Sequence, residues 1–444
     1  MKNILLLGAG LSTTSLISYL LKQSTEHNWK IRIGDISVDI IKNKINGHPN
    51  ATAFKFDAQN PNQVESEISN ADLVISMLPA RMHPLIAEQC VKSGKNLLTA
   101  SYVSKEVKDM DALLKEKGLL FLNKIGVDPG IDHMSAMRVI HKIEEKGGKL
   151  YSFKSSTGGL VAPEYDNNIW NYKFTWNPRN VVLAGQGVSR YIKKDRYKYI
   201  PYHRLFSRLE TTHVLDYGEF EIYPNRDSLS YRSVYGLEDI ATIFRGTMRR
   251  PGFCKAWDIF VQLGLTSDDF IVENNGSLTY RQFINSFLAY APNTPVEEKV
   301  AKYVGIDIDS PEMKKLAWLG IFDEKVIEKQ NASPAQIIQH LLEQKWALGP
   351  NDKDMIVMQH QFEYEINGKK KGIKSSLAVI GKDTSHTAMA ITVGVPLGIA
   401  AKLVLTGKLN KTGVIIPVDK DVYTPILEEL EEYGIKFIEE EYDI

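Results

Sequence analysis

Three stretches of this chain gather groups that can do chemistry. Thr99-Ala100-Ser101-Tyr102 closes the apolar run Asn96–Ala100, and Gly126-Val127-Asp128-Pro129-Gly130-Ile131-Asp132-His133 follows the run Leu119–Asn123. Hydroxyl, phenol, carboxylate and imidazole groups thus lie at the ends of two candidate strands. Gly8-Ala9-Gly10-Leu11-Ser12-Thr13 follows the run Asn3–Leu7 and opens a helix-like segment. Two glycines in that context permit a tight turn and the close approach of a pyrophosphate, which then sits on the helix N-terminus. Thr13 stands where the dinucleotide fingerprint has its third glycine. Asp35 ends the second run; a carboxylate there accepts from the adenine ribose 2′-hydroxyl and repels a 2′-phosphate, so NAD is expected over NADP. Asp57, after the third run, is placed to flank adenine, and Met77 and Leu78, after the fourth, to meet the cofactor riboses. Asp132 reads as the cap of the helix starting near His133, and Asp128 as a functional carboxylate.

The elements that must position these groups alternate. Candidate strands Asn3–Leu7, Lys30–Gly34, Ala53–Phe56, Leu73–Met77, Asn96–Ala100 and Leu119–Asn123 are separated by helix-like segments Ser12–Lys22, Pro61–Ile68, Met82–Lys92 and Lys105–Glu116. Continuous apolar strands between helices predict an α/β, doubly wound parallel sheet of Rossmann type, with ligands at the carboxyl ends of its strands. After Asp128 the pattern changes. Tyr151 to Phe253 is rich in Gly, Pro, Tyr, Asn and Arg and reads as a larger, mostly antiparallel sheet. Tyr280–Tyr290, Val296–Val304, Pro311–Leu319 and Pro334–Trp346 read as helices. Met355–Ile366 and Ile373–Gly381 read as a hairpin turning at Asn367-Gly368, with a loop longer than two residues. Thr387–Leu405 is apolar at helical spacing, and the acidic stretch Glu429–Tyr442 reads as a solvated helix and terminal strand.

Charge narrows the ligand. Lys plus Arg is 54 and Asp plus Glu is 54, so the chain has no basic footprint for nucleic acid. Two distant cysteines, Cys90 and Cys254, can build neither a disulfide framework nor a metal cluster, and no metal is expected. No run approaches about 18 continuous apolar residues, so no membrane span is expected, and cytoplasm is the default location. Arg occurs 14 times, 12 of them between Arg138 and Arg281, and none follows Arg281. Arginine suits planar, bidentate recognition of carboxylate. The Asn225-Arg226-Asp227-Ser228 and Arg245-Gly246-Thr247-Met248-Arg249-Arg250 stretches therefore predict a small-molecule substrate with several carboxylates, where the alternative is interface salt bridges or compositional drift.

The chain resembles the saccharopine reductase family, the glutamate-forming saccharopine dehydrogenases. The resemblance runs over the whole length. It is carried by Ser101–Ser104, Asp128–His133, Gly158-Gly159-Leu160 with Ala162-Pro163-Glu164, Tyr172-Lys173-Phe174 with Trp176 and Pro178, Asn225–Ser228, Arg245-Gly246-Thr247 and Thr387–Ala390. It implies a Rossmann domain (1–128 with 383–444), a mixed α+β substrate-binding and dimerisation domain (129–262 with 351–382) and an inserted helical domain (263–350). It implies NAD(P)-dependent oxidoreduction at a CH–NH bond: saccharopine to glutamate plus 2-aminoadipate 6-semialdehyde, or the reverse. By matching position, Ser101, Tyr102, Asp128, Arg226, Arg245, Thr247 and Arg249 would meet substrate, with Asp128 holding an amino group and Arg226 a carboxylate. Gly8, Gly10, Leu11, Ser12, Thr13, Asp35, Asp57, Met77, Leu78, Thr99 and Trp176 would lie near cofactor. Tyr102, Asp128 and His133 are the nearest catalytic candidates for a general base, unless water suffices. Fungal NADP members carry a small residue and an Arg around position 35, and a Glu is usual in the family where this chain has Lys124. A homodimer is implied. Two rivals stand beside this reading: a carboxyspermidine- or homospermidine-type enzyme, whose cationic substrate calls for acidic pockets, and a catalytically silent NAD-binding regulator.

Overall fold

The computed structural model describes residues 1–274 and 276–444. The chain forms two compact units, Met1–Lys149 with Val379–Ile438 and Leu150–Ala378 with Glu439–Ile444.

In the first unit, β1 (Lys2–Leu7), β2 (Trp29–Asp35), β3 (Ala51–Lys55), β4 (Leu73–Ser76), β5 (Asn96–Leu98) and β6 (Leu120–Leu122) form one sheet with Gly413–Ile415. The order is Gly413–Ile415, β6, β5, β4, β1, β2, β3, and every ladder is parallel. This is the doubly wound order whose direction reverses between β1 and β4, the place where such sheets bind ligands. The strands are apolar throughout because helices bury both faces: Leu5, Leu6, Val74 and Leu98 are all buried. The expected Lys105–Glu116 helix is two, Lys105–Asp109 and Asp111–Lys117, meeting at Met110.

The helix Ala388–Leu405 is long and apolar enough to cross a membrane, yet 72% of it is buried inside the fold. Two glycines explain its seat. A Cβ on Gly394 would lie 2.6 Å from the Leu16 backbone nitrogen, and one on Gly398 would lie 2.5 Å from the Tyr19 ring. The helix therefore rests directly on Thr14–His27. Lys402 and Tyr19 both bond to Glu429, at 2.6 Å each, and tie in the helix Lys420–Glu431. The helix Ile131–Glu145 also belongs to this unit; His141 meets the Tyr423 hydroxyl at 2.8 Å. The boundary expected near Asp128 thus falls at about residue 149.

The second unit is built on β7 (Lys149–Val161), β8 (Val188–Lys193), β9 (Arg196–Pro201), β10 (Glu210–His213), β11 (Glu219–Pro224), β12 (Thr242–Arg249), β13 (Asp354–Ile366) and β14 (Lys369–Ile380), with Ile438–Asp443 at one edge. The main path is β10, β11, β12, β7, β13, β14 and Ile438–Asp443, and the β8–β9 hairpin joins through β12. The sheet is mixed, because β12 runs parallel to β7. The turn between β13 and β14 has only two residues, not the longer loop expected. Asn367 and Gly368 take φ of 51° and 72°, as a type I′ turn requires, and so match the strand twist. The helices between residues 263 and 350 lie in the same unit. Trp346 stands 5.2 Å from Trp170 and 5.1 Å from Tyr172, ring centre to ring centre, so this segment shares an aromatic core with the sheet.

Candidate active site

In the first unit the predicted groups collect at the carboxyl ends of the strands. Gly8 is forced: its φ is +96°, and a Cβ there would meet the Met77 carbonyl oxygen at 2.7 Å. Backbone bonds from Met77 N–H to Leu7 and from Gly8 N–H to Gly34 draw β4, β1 and β2 together at this point. A Cβ on Gly10 would meet nothing within 4 Å, so that side of the loop is open. Leu11–Thr13 forms a short turn of 3₁₀ helix that runs into Thr14–His27. First-turn N–H groups have no carbonyl within the helix to bond, and they favour an anion. The loop therefore fits a dinucleotide pyrophosphate.

Asp35 does something the sequence did not reveal. Its carboxylate accepts from Ala9 N–H at 2.7 Å and from Ser37 N–H at 3.0 Å. At the carbonyl end of the same residue, the Lys44 ammonium donates to the Ala9 carbonyl at 2.9 Å, the Gly10 carbonyl at 2.5 Å and the Thr13 hydroxyl at 3.0 Å. The two side chains clamp the glycine loop. Burial pushes the Lys44 amine down to about 8, and Asp35 pulls it the other way. Asp57 is exposed and closes its own turn by accepting from Gln59 N–H. Met77 and Leu78 are half-buried beside Gly8, whereas Trp176 belongs to the second unit.

Across β4 and β5 runs a chain of polar side chains. Ser76 Oγ lies 2.9 Å from His83 Nδ1, and His83 Nε2 lies 2.7 Å from Ser101 Oγ. Thr99 Oγ1 is 3.4 Å from the same Nε2 and accepts from Ser101 N–H at 3.2 Å. Burial pushes the His83 imidazole down to about 4, so it is neutral at ordinary pH. Tyr102 is 50% exposed, with the Lys124 ammonium 5.7 Å from its ring centre. Asp128 is half-buried, in the turn after β6. Asp132 is buried and accepts from Gly130 N–H at 2.6 Å; the helix begins at Ile131 with Gly130 before it, so Asp132 is its second residue and not the cap expected. His133 is wholly buried one residue on. Sequence reading missed His83 and Lys44. A Ser inside the buried strand Leu73–Ser76 was the one available signal for the first; nothing marked the second.

The second unit carries the arginines. Arg245, Thr247 and Arg249 alternate along β12 and so share one face. The Arg245 guanidinium lies 4.1 Å from the Tyr231 ring centre. Arg249 is 3% exposed, within 5.0 Å of Tyr172, 5.4 Å of Phe253 and 5.7 Å of Tyr223. Its Nε has no hydrogen-bond partner among the described residues. Arg226 follows β11 and is exposed, at a φ of 42°. Its loop is pinned on both flanks: Asn225 N–H donates to the Arg245 carbonyl at 2.8 Å, and Arg245 N–H donates to Ser228 Oγ at 2.9 Å. Arg190 bonds Asp227 at 2.5 Å. Among the described residues the Arg226 guanidinium makes no ion pair or hydrogen bond. A strained residue in a rigid loop, presenting an unpaired cation, is a binding-site signature. No cluster of three or more His, Cys, Asp or Glu suited to a metal occurs among the described residues.

Residues 4–122 match the model of the saccharopine dehydrogenase NADP binding domain, and residues 126–435 that of the saccharopine dehydrogenase C-terminal domain. The chain is similar to the saccharopine dehydrogenase [NADP(+), L-glutamate-forming] of Schizosaccharomyces pombe, 30% identical over 100% of both chains. It is 32% identical to the mouse mitochondrial alpha-aminoadipic semialdehyde synthase over 98% of its own length, and spans 47% of that protein. The solved apo saccharopine dehydrogenase (L-Glu forming) of Saccharomyces cerevisiae superposes with a TM-score of 0.89, 28% identical and covering 100% of both chains.

Proposed function

The chain belongs to the saccharopine dehydrogenase family, and from that premise we propose that it interconverts saccharopine with glutamate and 2-aminoadipate 6-semialdehyde. The observation that carries the substrate assignment is Arg226, an unpaired guanidinium held at positive φ by a pinned loop. Saccharopine offers three carboxylates for the arginines of this unit. A polyamine would meet these cations as repulsion, so the polyamine reading is set aside.

When bound, the nicotinamide would supply a hydride acceptor for the methylene carbon on the secondary nitrogen, the one that becomes the aldehyde; hydrolysis of the resulting imine would release glutamate and the semialdehyde. The residues of the chain align and hold. The Gly8–Thr13 loop and the first turn of Thr14–His27 would cradle the pyrophosphate, with the Asp35–Lys44 clamp keeping the loop rigid. Tyr102 and Asp128 would meet the substrate around its amine, Ser101 a carboxylate, and Arg226, Thr247 and the β12 residues Arg245 and Arg249 its carboxylates as well. Tyr102 and Asp128 are the acid–base candidates; His133 is wholly buried and would act through its neighbours.

The dinucleotide is proposed to be NADP. The relatives' names point to it, and the NAD preference drawn from Asp35 has no support in the comparisons. Both Asp35 oxygens accept backbone N–H groups and Lys44 lies within reach of its charge, so Asp35 repels a 2′-phosphate less than a free carboxylate would. A homodimer and Trp176 as a cofactor contact are proposed on the family resemblance; light scattering tests the first. The reaction is tested by incubating the purified chain with saccharopine and NADP, then measuring reduced nicotinamide and glutamate together. Equal amounts of both support the proposal. Cofactor binding without turnover on saccharopine or polyamine imines would favour the silent regulator.

A further inference from the structure

His83 has no part in the chemistry above, yet it is buried at the carboxyl ends of β4 and β5 with both ring nitrogens hydrogen-bonded. We infer that His83 is a positioning residue that orients the Ser101 hydroxyl as a hydrogen-bond donor toward a carboxylate oxygen of the amino-acid substrate, an inference that rests on the function proposed above.

The direction of the chain follows from counting protons. A neutral imidazole has one donor nitrogen and one acceptor nitrogen. Ser76 Oγ is fully buried, and His83 Nδ1 is its hydrogen-bond partner. If Nδ1 carried the proton, the Ser76 O–H would donate to nothing in a dry site, the costlier of the two ways to leave the pair. Ser76 therefore donates to Nδ1, and Nε2 carries the proton. Nε2–H then donates to Ser101 Oγ at 2.7 Å, with Thr99 Oγ1 as a distant second acceptor at 3.4 Å. Ser101 Oγ is occupied as an acceptor, and its own O–H has no acceptor among the described residues. The serine presents a donor of fixed direction at the strand ends, where ligands of such sheets lie. Burial holds His83 near pKa 4, so this polarity persists across the whole neutral range.

Two measurements decide it. Ring-nitrogen NMR of the full chain should show the Nε2–H tautomer, unchanged from pH 8 down to about pH 5; an Nδ1–H tautomer, or titration near the ordinary histidine value, would overturn the polarity. Calorimetry with saccharopine on the cofactor-loaded protein should show S101A and H83N each weakening binding about tenfold, the loss of one hydrogen bond to a charged group. The double variant should be no worse than either, because His83 acts through Ser101. H83Q, whose amide N–H₂ reaches the Nε2 position, should recover most of the loss with cofactor affinity unchanged. Additive losses, or H83N binding saccharopine as wild type does, would overturn the inference. Absence of saccharopine binding by wild type would instead remove the proposed function and the substrate half of the inference, and the ring spectrum would judge the His83–Ser101 polarity by itself.

Discussion

Replacing Arg226 with Gly should separate binding from stability. The side chain makes no internal ion pair or hydrogen bond among the described residues, so truncation breaks neither kind of contact in the fold. Its φ of 42° costs a non-glycine residue about 1 to 2 kcal/mol, which glycine recovers. Glycine in turn loses about 0.5 to 1 kcal/mol through the greater freedom of the unfolded chain. The two nearly cancel, and stability should stay within about 1 kcal/mol of wild type. Binding is another matter. Removing one partner of a close charge pair costs about 2 to 5 kcal/mol, so the KM for saccharopine should rise at least about thirtyfold. Chemical denaturation, steady-state kinetics and cofactor titration on one preparation would read all three quantities. An unchanged KM would remove Arg226 from the site. A stability loss above about 2 kcal/mol would make it a structural residue instead.

Other outcomes follow from the same geometry. Gly8→Ala should destabilise the protein by about 2 to 4 kcal/mol in denaturant titration, because a Cβ would lie 2.7 Å from the Met77 carbonyl at a φ of +96°. Gly394→Val should lower the melting temperature sharply, since its side chain would fill the space that Leu16 occupies. Lys44 is depressed to about 8, so its ammonium is lost as pH rises through that value. The dinucleotide Kd should therefore weaken from pH 7 to pH 9 in wild type and be flat in K44M. The linkage to folding has the opposite sense. The unfolded amine binds its proton up to its ordinary value near 10.5, so between about 8 and 10.5 the unfolded state holds more protons and this group favours folding as pH rises.

The first sheet was readable because parallel strands buried on both faces are written as short, unbroken apolar runs. Leu73–Ser76 and Lys2–Leu7 fell within a residue of their expected bounds. The alternation of Arg245, Thr247 and Arg249 on β12 also follows from spacing alone. What failed was tertiary. The Asn367-Gly368 turn was placed in a longer loop because the solvent-facing Lys369–Lys371 does not look like strand. Asp35 was read as a ribose ligand, but its partners Ala9 and Lys44 are distant in sequence and known only once the loop is folded. His83 is one imidazole at a helix start until Ser76 and Ser101 are seen on either side of it.

Hydride transfer is tested most directly with saccharopine carrying two deuterium atoms on the methylene carbon bonded to the secondary nitrogen, incubated with the protein and either NADP or NAD. Deuterium should appear on the reduced nicotinamide, glutamate should be released in equal amount, and kcat/KM should be higher with NADP. Reduced cofactor without deuterium, or no reduction with either dinucleotide despite clear binding, would contradict it.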